Sequence, residues 1–192
     1  MTRRASAVAQ TRRRIIDATR DLHAEQGIAA TSWDDIAARA GVGVGTVYRH
    51  FPSLDELIPA CGELSMQIVA PPDPGDAPSL FDGADGPAAR VERLVREAFA
   101  VYERGAPTLR AILDEPGVHP RVAEDAEKVK ASLGALVDAA VGPLAITPAD
   151  RAVVRAMIDL GTWQALRDQG LAPAEAVDAV SRMLAALVAG SA

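Results

Sequence analysis

Cysteine, histidine and aromatic residues are all scarce in this chain. One cysteine, three histidines and an aromatic share of 4% are spread over 192 residues. The lone thiol, Cys61, can close no internal disulfide, so the fold must be held by packing in a reducing environment. The histidines stand at positions 23, 50 and 119, with no second ligand at metal spacing, and Cys61 has no base beside it in the sequence. A nucleophile, general base or metal set is therefore not legible, and catalytic residues, metal ligands and cofactors are expected to be absent. No apolar run is long enough to cross a bilayer, and the N-terminus lacks the apolar core and cleavage site of a secretory signal. The expectation is a cytoplasmic protein with no membrane partner. Lysine is also scarce, at two residues against eighteen arginines. What the chain does have is length enough for one large or two small domains with a real apolar core.

The net charge of −6 is unevenly placed. Residues 1–58 carry eight arginines against seven acids, whereas the remainder carries twelve basic residues against nineteen acids. Five of the first eight arginines precede Ile15, which concentrates positive charge where a chain terminus or helix start can meet phosphate.

Residues 27–57 read GIAATSWDDIAARAGVGVGTVYRHFPSLDEL. In WDDIAARA, residues Trp33, Ile36, Ala37 and Ala40 fall at i, i+3, i+4 and i+7, the apolar stripe of a short helix. Ser32 is its natural cap, and Asp34 and Asp35 suit the positive end of the helix dipole. Gly41 follows the last periodic residue, where a left-handed turn is cheapest for glycine, and Val42 can fill the corner. A second helix, Gly43 to His50, buries Val47 and Phe51 and leaves Val44, Gly45, Thr46, Tyr48 and Arg49 near its outer face. Gly43 and Gly45 each cost up to about 1 kcal/mol of helix stability against alanine, so their gain must be something else, and close approach to a surface is the obvious one. Pro52 stops this helix, and Ser53 with Glu56 opens the next. A preceding helix from Thr11 to Gln26, with Ile15, Ile16, Thr19 and Leu22 inward, braces the pair. This is the grammar of a helix-turn-helix DNA reader.

The stretch resembles the DNA-binding domain of the TetR family of bacterial transcriptional regulators. The matching pieces are Gly27, Thr31, Ile36-Ala37, Ala40-Gly41-Val42, Gly45-Thr46, Tyr48, His50-Phe51 and Leu57, over about the first third of the chain. The resemblance implies a sequence-specific, ligand-responsive regulator, most often a repressor, that binds a palindromic double-stranded DNA operator as a homodimer and is released by a small molecule. DNA contacts are expected from Arg12, Arg13, Thr31, Ser32, Gly43, Val44, Gly45, Thr46, Tyr48, Arg49 and His50. Phosphates would be met by Tyr48, His50, Thr31 or Ser32 and the arginines, and base edges by Val44, Thr46 and the glycine surfaces, with Arg49 suited to guanine or to the backbone. The lysine that commonly grips a phosphate in the family is here Leu54. Pro59 falls inside the helix opened by Ser53 and is expected to bend it and set its angle.

Residues 70–87, with five prolines and several aspartates, read as a mobile loop tacked down by Leu80 and Phe81. Beyond it, Gly and Pro punctuation marks helices at 88–104, 107–115, 120–141, 148–169 and 173–189. The expected organisation is therefore all-α: a helix-turn-helix domain over 1–58 with a connecting helix to about 69, a loop at 70–87, and a helical effector-binding and dimerisation bundle over 88–192. A small hydrophobic or amphipathic effector is expected among Phe99, Tyr102, Leu109, Ile112, Leu113, Leu136, Met157 and Trp163. The broad apolar faces of the last two helices suggest a dimer interface at Val154, Ile158, Gly161, Ala165, Val177, Val180, Leu184 and Leu187, which would set two recognition helices about 34 to 36 Å apart. The competing expectation is a helical effector- or protein-binding module with weakened or lost DNA binding, to which Leu54 and the acidic body lend weight.

Overall fold

The computed structural model describes residues 3–190; positions 1, 2, 191 and 192 of the two expected domains lie outside the described residues. Among these, all the α-helical structure falls in nine helices and no strand occurs: α1 Arg3–Gln26, α2 Trp33–Ala40, α3 Val44–His50, α4 Leu54–Val69, α5 Pro87–Asp114, α6 Pro120–Val141, α7 Pro148–Met157, α8 Leu160–Asp168 and α9 Pro173–Gly190. The all-α expectation holds. The chain forms two compact units. One runs up to Val69 and takes in Pro107–Glu127, and the other comprises Ala70–Ala106 and the chain from Lys128 on. Residues 107–127, expected in the C-terminal bundle, thus lie in the first unit.

In the first unit the helix ends follow the sequence closely. The Ser32 hydroxyl accepts from the Asp35 N–H at 3.1 Å while the Asp35 carboxylate accepts from the Ser32 N–H at 3.2 Å, a reciprocal cap for α2. Gly41 closes α2 in the left-handed conformation, with φ 64°. α1 starts at Arg3, two turns before the expected Thr11, because residues 5–10 are helix-compatible and contain neither Gly nor Pro. Thr11 is inside the helix, its hydroxyl donating to the Ala7 carbonyl at 3.0 Å. The core gathers Ile15, Ile16, Leu22, Ile36, Val47, Phe51, Leu57 and Leu64. A second cluster joins Ile28 and Ile58 to Ala111, Ile112, Val122 and Ala126. Pro59 sits half-buried in the second turn of α4.

In the second unit, two expectations need correcting. The helix expected over 148–169 is two, because Asp159 starts a new helix, its carboxylate accepting from the Gly161 N–H at 2.8 Å. The Ile158 carbonyl freed at the break accepts the Tyr102 hydroxyl at 2.8 Å. The expected break at Gly105 is present: its φ of −169° and ψ of 41° are not helical and divide α5 into two stretches that meet at a kink. The segment 70–87, read as mobile, is pinned by arginines of α5. Arg104 donates to the Ala70 carbonyl and Arg93 to that of Leu80, each at 2.9 Å, and the Arg90 guanidinium lies 5.3 Å from the centre of the Phe81 ring. Ala77, Phe81 and Ala84 are buried beneath.

The hydroxyls of Ser132 and Ser181 are buried without a hydrogen-bond partner. An unpaired buried hydroxyl costs about 1–3 kcal/mol, so Ser132→Ala is expected to raise the thermal midpoint. A lower midpoint in thermal unfolding would show that the hydroxyl is paired.

Candidate nucleic-acid interface

α3 has seven residues and is anchored from beneath by Val47 and by Phe51 just past its end, both fully buried. Gly45, Tyr48 and Arg49 are exposed, while Val44, Thr46 and His50 are half-buried. A methyl group added at Gly43 or Gly45 would meet no atom within 4 Å. Neither glycine is needed by the protein's own packing, and neither has the positive φ that demands glycine. Tyr48, 46% exposed, stacks on Trp33 with ring centres 4.9 Å apart. Arg49 is exposed and donates to the Thr46 hydroxyl at 3.4 Å. Val44 packs partly on the core, so only part of its side chain remains at the surface.

The other expected contacts divide. Arg12 is exposed, its guanidinium 4.6 Å from the centre of the Phe51 ring. Arg13 pairs with Asp17 one turn on, at 3.2 Å, an exposed contact that costs little to exchange for a phosphate. The hydroxyl protons of Thr31 and Ser32 are already committed, to the Gly27 carbonyl at 2.8 Å and the Asp35 carboxylate at 2.6 Å. These two residues therefore shape the start of α2 before they offer anything outward. Arg14, counted with the N-terminal positive charge, donates to the carbonyls of Ala40 and Gly41 and closes the C-terminus of α2. Arg39 forms a two-bond pair with Glu25 at 2.6 and 2.8 Å.

Two residues that sequence reasoning missed come from Pro107–Glu127. The Glu115 carboxylate accepts from the backbone N–H groups of Ile28 at 3.1 Å and Ala29 at 2.7 Å. His119 Nδ1 accepts the Arg121 backbone N–H at 3.0 Å, which leaves the proton on Nε2 to be donated to Asp55 Oδ1 at 2.9 Å. No periodicity or local motif links positions so far apart in sequence. Near Glu115, burial pushes His23 down to about 4, against the opposing charge of Glu115. Burial likewise pushes the Cys61 thiol up to about 11, and its sulfur lies 3.9 Å from His23 Nδ1.

The residues expected to line an effector pocket divide between the two units. Phe99, Tyr102, Leu136 and Trp163 are packed core of the second unit, with Met157 half-buried, and Leu109, Ile112 and Leu113 belong to the first. Tyr102 is held by its bond to Ile158, and Trp163 donates to Glu103 at 3.0 Å. Ile112 lines a cavity of about 30 Å³ in the first unit, bordered also by His23, Ile28, Ile58, Cys61 and Val122. Of the residues expected at a dimer face, Val154, Ile158, Val180 and Leu184 are buried within the second unit, because the inward stripe of each helix claims them. Val177 and Leu187 are half-buried, and Gly161 and Ala165 are exposed.

The fold and this outward face are those of a helix-turn-helix protein. Residues 15–61 match the sequence model described as bacterial regulatory proteins, tetR family. Forty-six residues are 54% identical to the HTH-type transcriptional repressor Rv3405c of Mycobacterium tuberculosis, a match that spans 24% of each chain. The chain therefore covers about a quarter of the length of that relative and of two other mycobacterial regulators matched over the same extent. Among solved structures, the ketosteroid transcriptional regulator KstR2 of M. tuberculosis shares the fold with a TM-score of 0.62 at 22% identity, covering 93% of both chains. The TetR-like regulator LfrR of Mycobacterium smegmatis, solved in complex with proflavine, matches with a TM-score of 0.54 at 25% identity over 93% of this chain and 96% of its own. No described helix is long and apolar enough to cross a membrane.

His23 yields a pH test of the first unit. Its folded value of about 4 lies below the ordinary 6.5, so the unfolded chain takes up the proton first. The contribution of neutral His23 is complete above pH 6.5 and is lost as pH falls toward 4, on the order of 2–3 kcal/mol in all. The difference in thermal midpoint between the parent and His23→Gln should therefore change steadily across that window. Parallel profiles would place His23 in solvent.

Proposed function

We propose that the chain is a sequence-specific transcriptional regulator that binds a palindromic operator as a homodimer and is released by a small hydrophobic or amphipathic effector. One observation carries the reading: an exposed short helix, capped by Gly43, holds Gly45 facing open space beside Thr46, Tyr48 and Arg49. Such a helix gives up its own stability to bring backbone close to a large surface, and the positive charge around it suits phosphate. Tyr48, His50, Arg12 and Arg13 position the duplex through its phosphates. The exposed parts of Val44 and Thr46 meet base edges, with Arg49 the longest available donor. Leu54, 50% exposed at the start of α4, supplies no charge, so affinity rests on the remaining contacts.

Dimerisation is supported by the outer side of the last helices. Gly161 and Ala165 leave low ground there, and Met183 and Val153 are exposed at 59% and 45%. Apolar side chains of this size on a helix surface suit a second copy, and a two-fold pair delivers two recognition helices to successive major grooves. For the effector, support comes from the helical second unit together with the proflavine complex of LfrR, which belongs to that protein.

Titration of the protein with DNA from upstream of its own gene, followed by fluorescence anisotropy, tests the reading. A sharp site should weaken from about 50 to 200 mM salt with a log–log slope near −0.9 per phosphate contact. Arg49→Ala should cost about 1–3 kcal/mol, with relaxed preference at one base pair if it reads a base and uniform weakening if it holds phosphate. Binding that is indifferent to both sequence and salt would contradict the proposal.

A further inference from the structure

The connection from α1 to α2 is short, Gly27 to Ser32, and most of its hydrogen bonds are local. Gly27 N–H donates to the His23 carbonyl at 3.0 Å, Thr31 N–H to that of Ile28 at 3.2 Å, and Ser32 caps α2. Two amides without an acceptor inside the turn, those of Ile28 and Ala29, are taken by Glu115 from 87 and 86 positions away. Gly27 is what lets the carboxylate in. Its φ is +91°, and a Cβ there would stand 2.4 Å from Glu115 Oε1. Ile28 is also buried against Ala111, Ile112 and Val122, which fixes the side of the turn from which Glu115 approaches.

The α2–α3 pair is thus held at two places. Its middle is fixed by Arg14 of α1, which grips Ala40 and Gly41. Its start hangs from a turn fixed by Glu115. A charged acceptor on two backbone donors is among the stronger hydrogen-bond arrangements, and it is the one that ties the entry to α2 to Pro107–Glu127. We infer that Glu115 is a positioning residue for DNA reading: through the Ile28–Ala29 turn its carboxylate sets how α2 and α3 present the recognition face. This rests on the DNA-binding reading above.

The full chain carrying Glu115→Ala tests this, with Glu115→Gln as the conservative variant. Amide hydrogen exchange at Ile28 and Ala29 should accelerate by about tenfold or more and should also rise within α2 and α3. Operator affinity should fall by about tenfold or more while the salt slope stays unchanged, because no phosphate contact is removed. Glu115→Gln, which keeps an acceptor, should recover part of the affinity. Gly27→Ala, which presses a methyl group on the carboxylate while keeping its charge, should reproduce the loss and serves if Glu115→Ala does not fold. Faster exchange confined to Ile28 and Ala29 with operator affinity intact would overturn the inference, as would unchanged exchange at those amides. If the parent itself shows no operator preference, the DNA-binding reading fails, and exchange in α2 and α3 still decides whether Glu115 positions them.

Discussion

A seven-residue helix does not persist alone in water, and α3 exists because Val47 and Phe51 are sunk in a shared core. That constraint organises the first unit. α1 supplies Ile15, Ile16 and Leu22 as the floor, α2 supplies Ile36, Ala37 and Ala40 as the wall, and α4 closes the site with Leu57 and Leu64. With stability coming from beneath, the outward face of α3 is released from any packing duty. It can then carry a glycine, a half-exposed tyrosine and an arginine that donates to Thr46 at its edge.

Arginine does two kinds of work in this chain. Arg14, Arg90, Arg93, Arg104 and Arg167 donate to backbone carbonyls, closing helix ends or tying down the connection after α4. Arg39 is engaged with Glu25, and Arg121 with Asp125. The guanidinium fork makes this possible, since several fixed donors can satisfy the carbonyls that a helix end leaves over. The count of arginines therefore overstates the charge available to a nucleic acid. Beside the recognition helix, Arg12, Arg13 and Arg49 are exposed.

The recognition region was legible in the sequence because its signals are local. The Ser32–Asp35 cap, the Gly41 turn, the Val47–Phe51 anchors and the open Gly45 each depend on residues a few positions apart. Failure began where the structure is made by distant pairs. Arg14 reaches Ala40 across 26 positions and Glu115 reaches Ile28 across 87, and no period or motif announces either. The break at Asp159 was missed for a related reason: the partner of the freed Ile158 carbonyl is Tyr102, on another helix. The wide apolar faces of the last helices showed how much would be buried, not which stripe would face inward. Val154, Ile158, Val180 and Leu184 went to the core for that reason. Large side chains such as Phe99 and Leu136 were read as pocket walls, and burial is all that the periodicity of their helices could foretell.

The central claim is that Gly45 is glycine for the sake of something outside the protein. A Cβ in its place meets open space, and leucine is the better helix former by nearly 1 kcal/mol, so the fold should become no less stable. The most direct measurement pairs the thermal midpoint of Gly45→Leu with its affinity for the upstream DNA. The account predicts an equal or higher midpoint together with a loss of at least about tenfold, roughly 1.4 kcal/mol, in binding. Unchanged affinity in a folded Gly45→Leu protein would contradict it.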